Sequence, residues 1–330
     1  MPIRLSPNSL GERRLEELIR WLAFDAPTML AEEGDVDWSA IIAAGLATGL
    51  IGAIADKLDR IEWDMDGCPK LLARRLPSLQ ASLRYRRNAQ RARLTSLVDA
   101  WNVQGIEPLL MSSARTVWMD VPWDYAEELG VLFGRDAMAA AGRSLEELGY
   151  QQVSVLDRSR FRRETCWNHP RINGFVTLRE MGSDPRLEQL LPSRELLESS
   201  AVVAIGTAAA RVMPPHVDIL HAMLHHHPTQ GLFRGRAAVS PMKLFAFARA
   251  LADLTSEQYE LFWLVASRHS RVQDAATAWL DASERCFGLR LGHETSRVGA
   301  TGATGHSVDA RSTRRFELVQ APEGHRIALR

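Results

Sequence analysis

At Gly105 the apolar residues of this chain change their period, and that change limits what it can fold into. Before it, Leu15, Leu18, Ile19 and Leu22 recur at helical spacing. The stretch "LLARRLPSLQASLRYRRNAQRARLTSL" at 71–97 keeps that spacing, with Pro77 marking a helix start or break. No strand signal precedes Gly105. Beyond it come short apolar runs at 106–111 and 129–133, a helical stretch at 135–148, and strand-like pieces in "GYQQVSVLD" and "NGFVTLREM". Past Pro192 the helical spacing returns through "PPHVDILHAMLHHH", "PMKLFAFARALADL" and "TSEQYELFWLVASRHSRVQDAATAWLDASERCF". The expected fold class is α+β, a small mixed β-sheet core flanked by N-terminal and C-terminal helical segments. The expected divisions are a helical region at 1–98, the αβ core at 99–185, a second helical region at 186–290 and an irregular Gly-containing tail at 291–330. In that tail "GATGATGH" has neither a Walker lysine nor a strand-to-helix setting, so it reads as a flexible linker.

A chain of 330 residues, 46% hydrophobic and 24% charged, can bury a full core and hold two packed units around one main sheet. Its 40 basic and 40 acidic residues set up no overall field to draw in nucleic acid or an anionic membrane, so any anion site is local. The three cysteines, Cys68, Cys166 and Cys286, are odd in number and lack CxxC spacing. Neither a disulfide framework nor a cysteine zinc site is indicated, and a reducing cytoplasm is the expected location. The opening "MPIRLSPNSLGERRLEELIRWL" lacks the apolar core of a signal peptide. The uncharged stretch "SAIIAAGLATGLIGAIA" at 39–55 holds three glycines and is flanked by Asp37 and Asp56. It reads as two short buried helical segments meeting near Gly49, and no membrane association is expected.

The segment with most to say about chemistry is "GIEPLLMSSARTVWMDVPWDYAEELGVLF" at 105–133, with "RRNAQRARLTSLVDAWNVQ" before it and "GRDAMAAAGRSLEELGY" after it. In order and spacing over about 15–290 the chain resembles a broad bacterial nucleotidyltransferase family with the polymerase-beta-like, or minimal nucleotidyltransferase, fold. Asn88, Gly105, Ile106, Gly149 and Tyr150 carry the likeness letter by letter. In that family a helix bearing Arg-Asn leads to an apolar strand ending in Lys-Gly. A strand of the form DxDLLV follows, then a helix closing on "L..LGY". "PPHVDILHAMLHHHPTQG" resembles the family's next helix, and "FAFARALADLTSEQYELFWLVASRHS" the two after it.

The resemblance implies a metal-dependent transfer site and also implies what this chain lacks. Divalent metal bridges the triphosphate and activates the attacking oxygen. Two carboxylates two residues apart on a strand face the same way and grip the same ions, and a third on a neighbouring strand completes the set. Laid on this chain the three positions fall at Glu128, Gly130 and near Thr177, and the Lys-Gly pair becomes Ser112-Ser113. The catalytic candidates are therefore Glu128, with Asp124 and Glu180 as possible substitutes for the missing acids. Asp120 and Glu127 are further acids near the same strand, though Glu127 and Glu128, being adjacent, face opposite ways on a regular strand. Ser112 and Ser113 are the candidate cofactor-binding residues, offering hydroxyls and N–H groups to a phosphate. Loop acids and turn serines are the structural alternative for Asp120, Asp124, Ser112 and Ser113.

Elsewhere the signals are less specific. Asp218, His221 and His225 lie along one stripe of a helix that starts after Pro214 and Pro215. No HExxH pattern is present, so packed or surface histidines are expected, no metal is assigned, and His226 and His227 are expected to be exposed. Arg84, Arg87 and Arg91 on one face of "RYRRNAQRAR", with Arg86 and Arg93 nearer another, and Arg158, Arg160, Arg162 and Arg163 in "DRSRFRRE", read as solvated faces rather than a nucleic-acid groove. Trp118 and Trp123 lie in the loop where the related family binds substrate, and are expected to fill that space or to stack on another ligand or partner. Two readings remain open. In one, a degenerate nucleotidyltransferase fold serves as a binding or accessory protein with an unidentified protein or peptide partner. In the other, an active enzyme uses Mg²⁺ and NTP, moving a nucleotidyl group to an unknown acceptor.

Overall fold

The computed structural model describes residues 4–5, 22, 38–60, 70–119, 121, 128–153, 164–226 and 238–288. Strand β1 (Arg4–Leu5) is followed by helices α1 (Trp38–Thr48), α2 (Ile51–Arg60) and α3 (Lys70–Val103). The core then runs β2 (Leu109–Leu110), α4 (Ser112–Trp118), β3 (Glu128–Phe133), α5 (Arg135–Glu147), β4 (Gln151–Val153), β5 (Glu164–His169) and β6 (Ile172–Glu180). Two short helices, α6 (Pro185–Leu190) and α7 (Ser193–Ser199), lead to β7 (Ala201–Ile205) and β8 (Ala208–Val212). The described chain closes with α8 (Pro215–His226), β9 (Ala238–Val239), α9 (Pro241–Ala252), α10 (Ser256–Ala266) and α11 (Ser270–Phe287). The architecture is α+β, and among the described residues no helix is long and apolar enough to cross a membrane.

β3 holds the middle of a seven-stranded mixed sheet of order β4-β5-β6-β3-β2-β8-β7. Its sequence, ELGVLF, is buried from Leu129 onward, and only a strand covered on both faces uses such an unbroken apolar run. Parallel pairing joins β3 to β6 and β2 to β8, while the other neighbours are antiparallel. Leu129, Val131 and Phe133 turn to one face, where Leu94, Leu97, Val98 and Trp101 of α3 and Ala141 and Leu145 of α5 cover them. Trp101 meets Phe133 edge-on at 5.0 Å, and its indole N–H donates to the Ala141 carbonyl at 3.2 Å. A second core unites α8, α9, α10 and α11 with α1 and α2 and reaches the opposite face of the sheet at Leu109, Met111, Leu132 and Met213.

Two polar side chains of α3 fix the sheet's outline. Arg93 is buried rather than on a solvated face as the sequence suggested, because it donates to the Tyr150 hydroxyl at 2.8 Å and to the carbonyls of Asn173 and Gly174, both at 3.2 Å, tying the start of β6 to the helix. Asn102 accepts from the Ala209 N–H at 2.7 Å and donates to the Ala209 carbonyl at 3.0 Å, satisfying β8 beyond the reach of two-residue β2.

The helix–sheet–helix order and the adjacency of β3 and β6 agree with the sequence reading. The uncharged stretch at 39–55 does form two short segments, α1 and α2, broken at Gly49 with φ +76°. Several details differ. The run at 106–111 pairs only at Leu109–Leu110, and the connection after it coils into α4. α3 passes through Pro77 without ending. β1, β5 and the β7–β8 hairpin had no strand signal: β1 has two residues, "ETCWNH" is polar, and "AVVAIGTAAARV" is rich in alanine. The hairpin is set by its two-residue turn, where Gly206 takes φ +65°. Of the helix expected around Leu15–Leu22 only Leu22, helical and buried, is described, while Cys68, Arg158–Arg163, Trp123, the His226 side chain, His227 and the tail at 291–330 lie outside the described residues.

Candidate functional site

Register brings the three inferred acid positions together. On the parallel pair, Glu128 faces Phe175, Gly130 faces Thr177 and Leu132 faces Arg179; on the antiparallel pair, Cys166 faces Thr177 and Glu164 faces Arg179. Paired strand residues share a face, so Glu128, Gly130, Thr177, Cys166, Glu164 and Arg179 all lie on the side of the sheet away from Trp101. Gly130 and Thr177 are direct neighbours, and Glu128 stands one face-position before Gly130.

The donor set does not fit a pair of divalent ions. Thr177 is 3% exposed and shares a hydrogen bond with the Cys166 thiol, whose pKa burial raises, with Glu128 and Glu164 adding to the rise. At Gly130 a Cβ would come within 3.1 Å of Ser113 Oγ and 3.2 Å of Met111 Sδ, so no carboxylate enters there without displacing both. A cation already stands on this face. Arg179 Nε reaches Glu164 Oε2 at 2.9 Å, Nη2 lies 3.4 Å from Glu164 Oε1 and 3.7 Å from Glu128 Oε1, and Nη1 lies 3.7 Å from Met111 Sδ. Among the described residues no three His, Cys, Asp or Glu side chains form a metal-holding group.

The other candidates are distributed as follows. Ser113 Oγ accepts from the Gly130 N–H at 3.0 Å, so this hydroxyl pins α4 to β3. Ser112 is half-buried at the start of the same helix. Asp120, Asp124 and Glu127 lie outside the described residues. Glu180 ends β6 beside Phe133, three positions past Thr177 and so out of phase with it on the strand. It lines a cleft of about 490 Å³, its solvent-open part included, between the sheet end, the α6–α7 segment and α8. Asp184 and Glu188 in that cleft serve local turns, accepting from the Leu187 N–H at 3.4 Å and from the Ser193 N–H at 3.0 Å respectively. Trp118 points elsewhere: its indole N–H donates to the Ala204 carbonyl of edge strand β7 at 3.2 Å. The side chains packed against Gly130 are Ser113 and Met111 instead.

On α8, Asp218 pairs with Arg115 of α4, whose Nη1 lies 2.7 Å from Oδ2 in a largely buried pair. Burial pushes the Asp218 carboxyl above its ordinary pKa, and Arg115 opposes that rise by charge and hydrogen bond. His221 is buried and stacks parallel to His225 at 6.5 Å. The sequence reading missed Glu164 and Arg179 as site residues because β5 carried no strand pattern. Without β5, nothing aligned Glu164 with the exit of β6.

No family model matches the sequence, and no curated protein matches it. Among solved structures, the chain is similar to the antibiotic-resistance factor ANT(2'')-Ia in its solution structure, at 10% identity and TM-score 0.38, over 58% of this chain and 97% of that one. It is also similar to an antigenic nucleotidyltransferase-like protein from Paracoccidioides brasiliensis, at 11% identity and TM-score 0.33, over 58% of this chain and 93% of that one.

Proposed function

We propose that this chain is a nucleotidyltransferase-fold pseudoenzyme of bacterial, cytoplasmic type. In this reading it has lost metal-dependent transfer and works as a binding or accessory protein for a protein or peptide partner. The observation that carries the reading is the register pair Gly130–Thr177: two positions where the transfer reaction needs carboxylates hold a glycine and a buried hydroxyl. Electrostatics adds to it. Glu128 and Glu164 against the single guanidinium of Arg179 leave the cluster one unit negative, and such a cluster repels a triphosphate that brings no neutralising ions. Of the three positions only Glu128 is acidic, and one carboxylate supplies too few oxygens to hold two hard divalent ions. Ser112 and Ser113 bring no cation to offset this.

Calorimetry tests the reading directly. Titration of each of the four NTPs with Mg²⁺ into the protein is expected to give no Mg²⁺-dependent heat of tight binding, and Glu128→Ala is expected to leave fold and partner binding intact. Tight, Mg²⁺-dependent NTP binding abolished by Glu128→Ala would instead overturn the degenerate-site reading, with Asp124 the acid left to take the vacant role.

A further inference from the structure

The face that resembles a metal site does more than lack acids, because it carries a fixed cation of its own. β6 lies between β5 and β3, so Arg179 projects from the middle strand with Glu164 on one side and Glu128 on the other. One guanidinium nitrogen, Nη2, is shared by both carboxylates, at 3.4 Å and 3.7 Å. The Arg179 side chain is the least exposed of the three, at 13% against 28% for that of Glu164 and 45% for that of Glu128. Two carboxylates drawn from separate strands onto one shared point repel each other unless a positive charge stands between them.

We propose that Arg179 is a built-in counter-cation: its side chain takes, between Glu128 and Glu164, the charge-balancing place that a divalent ion would otherwise take. The two carboxylates thus form a latent cation site that the arginine keeps closed. The proposal rests on the reading that transfer is lost, and adds how the face became independent of metal. The nearby thioether of Met111, 3.7 Å from Nη1, completes the seat, since a soft sulfur is a poor ligand for a hard ion and a tolerable neighbour for a delocalised guanidinium.

Removing the arginine should uncover the site. Arg179→Met keeps an unbranched stem and deletes the charge, Arg179→Gln keeps some hydrogen bonding to Glu164 and serves if the methionine variant does not fold, and Arg179→Lys keeps the charge. Mn²⁺ alone is the probe, followed by the loss of its free-ion paramagnetic resonance signal, with circular dichroism and melting temperature recorded for each variant. The neutral variants should bind Mn²⁺ at least about tenfold more tightly than the unaltered protein, an affinity set by two carboxylates and therefore weak in absolute terms. A second change, Glu128→Gln, should abolish the gain, and Arg179→Lys should show none. A folded neutral variant with no gain overturns the proposal, as does strong Mn²⁺ binding by the unaltered protein with its arginine in place. Mg²⁺-dependent NTP binding by the unaltered protein is a separate readout: it would end the reading of lost transfer, while the comparison of methionine, glutamine and lysine at position 179 judges the counter-cation.

Discussion

Gly130 shows how far one residue governs this site. Its missing side chain lets Ser113 Oγ and Met111 Sδ close over the strand, so an acid can no longer simply be put back. Gly130→Asp should destabilise the fold by about 1–3 kcal/mol, the usual effect of overpacking, and should bring no Mg²⁺ binding while Arg179 remains. Urea unfolding and calorimetry check both halves. The Arg115–Asp218 pair gives a second residue-scale expectation. A carboxyl whose folded pKa lies above its unfolded value holds its proton more tightly when folded. Its contribution to stability is therefore greatest below the unfolded pKa and is lost as pH rises through the folded one. Arg115 counters this in the native protein. Arg115→Met should therefore lose roughly 3–5 kcal/mol at neutral pH, the cost of breaking a buried pair, and recover part of it as the buffer is made acidic. Unfolding free energies across an acid-to-neutral pH series measure it, and a loss that is flat with pH would refute the assignment.

Among the elements, legibility followed pattern strength. β3 was readable because an unbroken apolar run has few other uses, β6 from its short Phe-Val-Thr-Leu stretch, and α9 and α11 because their buried residues recur at helical spacing. β5 was not, since ETCWNH buries only Trp167 fully and its place depends on β6 beside it. Site residues divided the same way. Glu128, Gly130 and Thr177 were placed by family spacing on readable strands, whereas Arg179 and Glu164 meet only through the pairing of β5 with β6. α10 offers a local test. Thr255 accepts from the Gln258 N–H at 3.2 Å while Gln258 Oε1 accepts from the Thr255 N–H at 3.1 Å, a reciprocal cap visible in the sequence as T-x-x-Q. Thr255→Ala should lower stability by about 1 kcal/mol, read as a shift in urea midpoint at unchanged slope.

At the scale of the whole molecule, the sheet is assembled from distant pieces of chain. Leu109 and Leu110 pair with Leu132 and Val131 on one side and with Arg211 and Val212 on the other, and Asn102 locks Ala209 from 107 residues away. Local contacts close quickly, but pairings of this separation must wait for loop closure. They must also wait for the ribosome. At about 5–20 residues per second, the stretch between Asn102 and Ala209 takes roughly 5–20 s to emerge, and for that time the outer side of β2 is an unpaired strand edge. The nascent chain therefore passes through a half-sheet with one open edge, whose lifetime is set by the speed of translation and whose exposure is kept small by the two-residue length of β2.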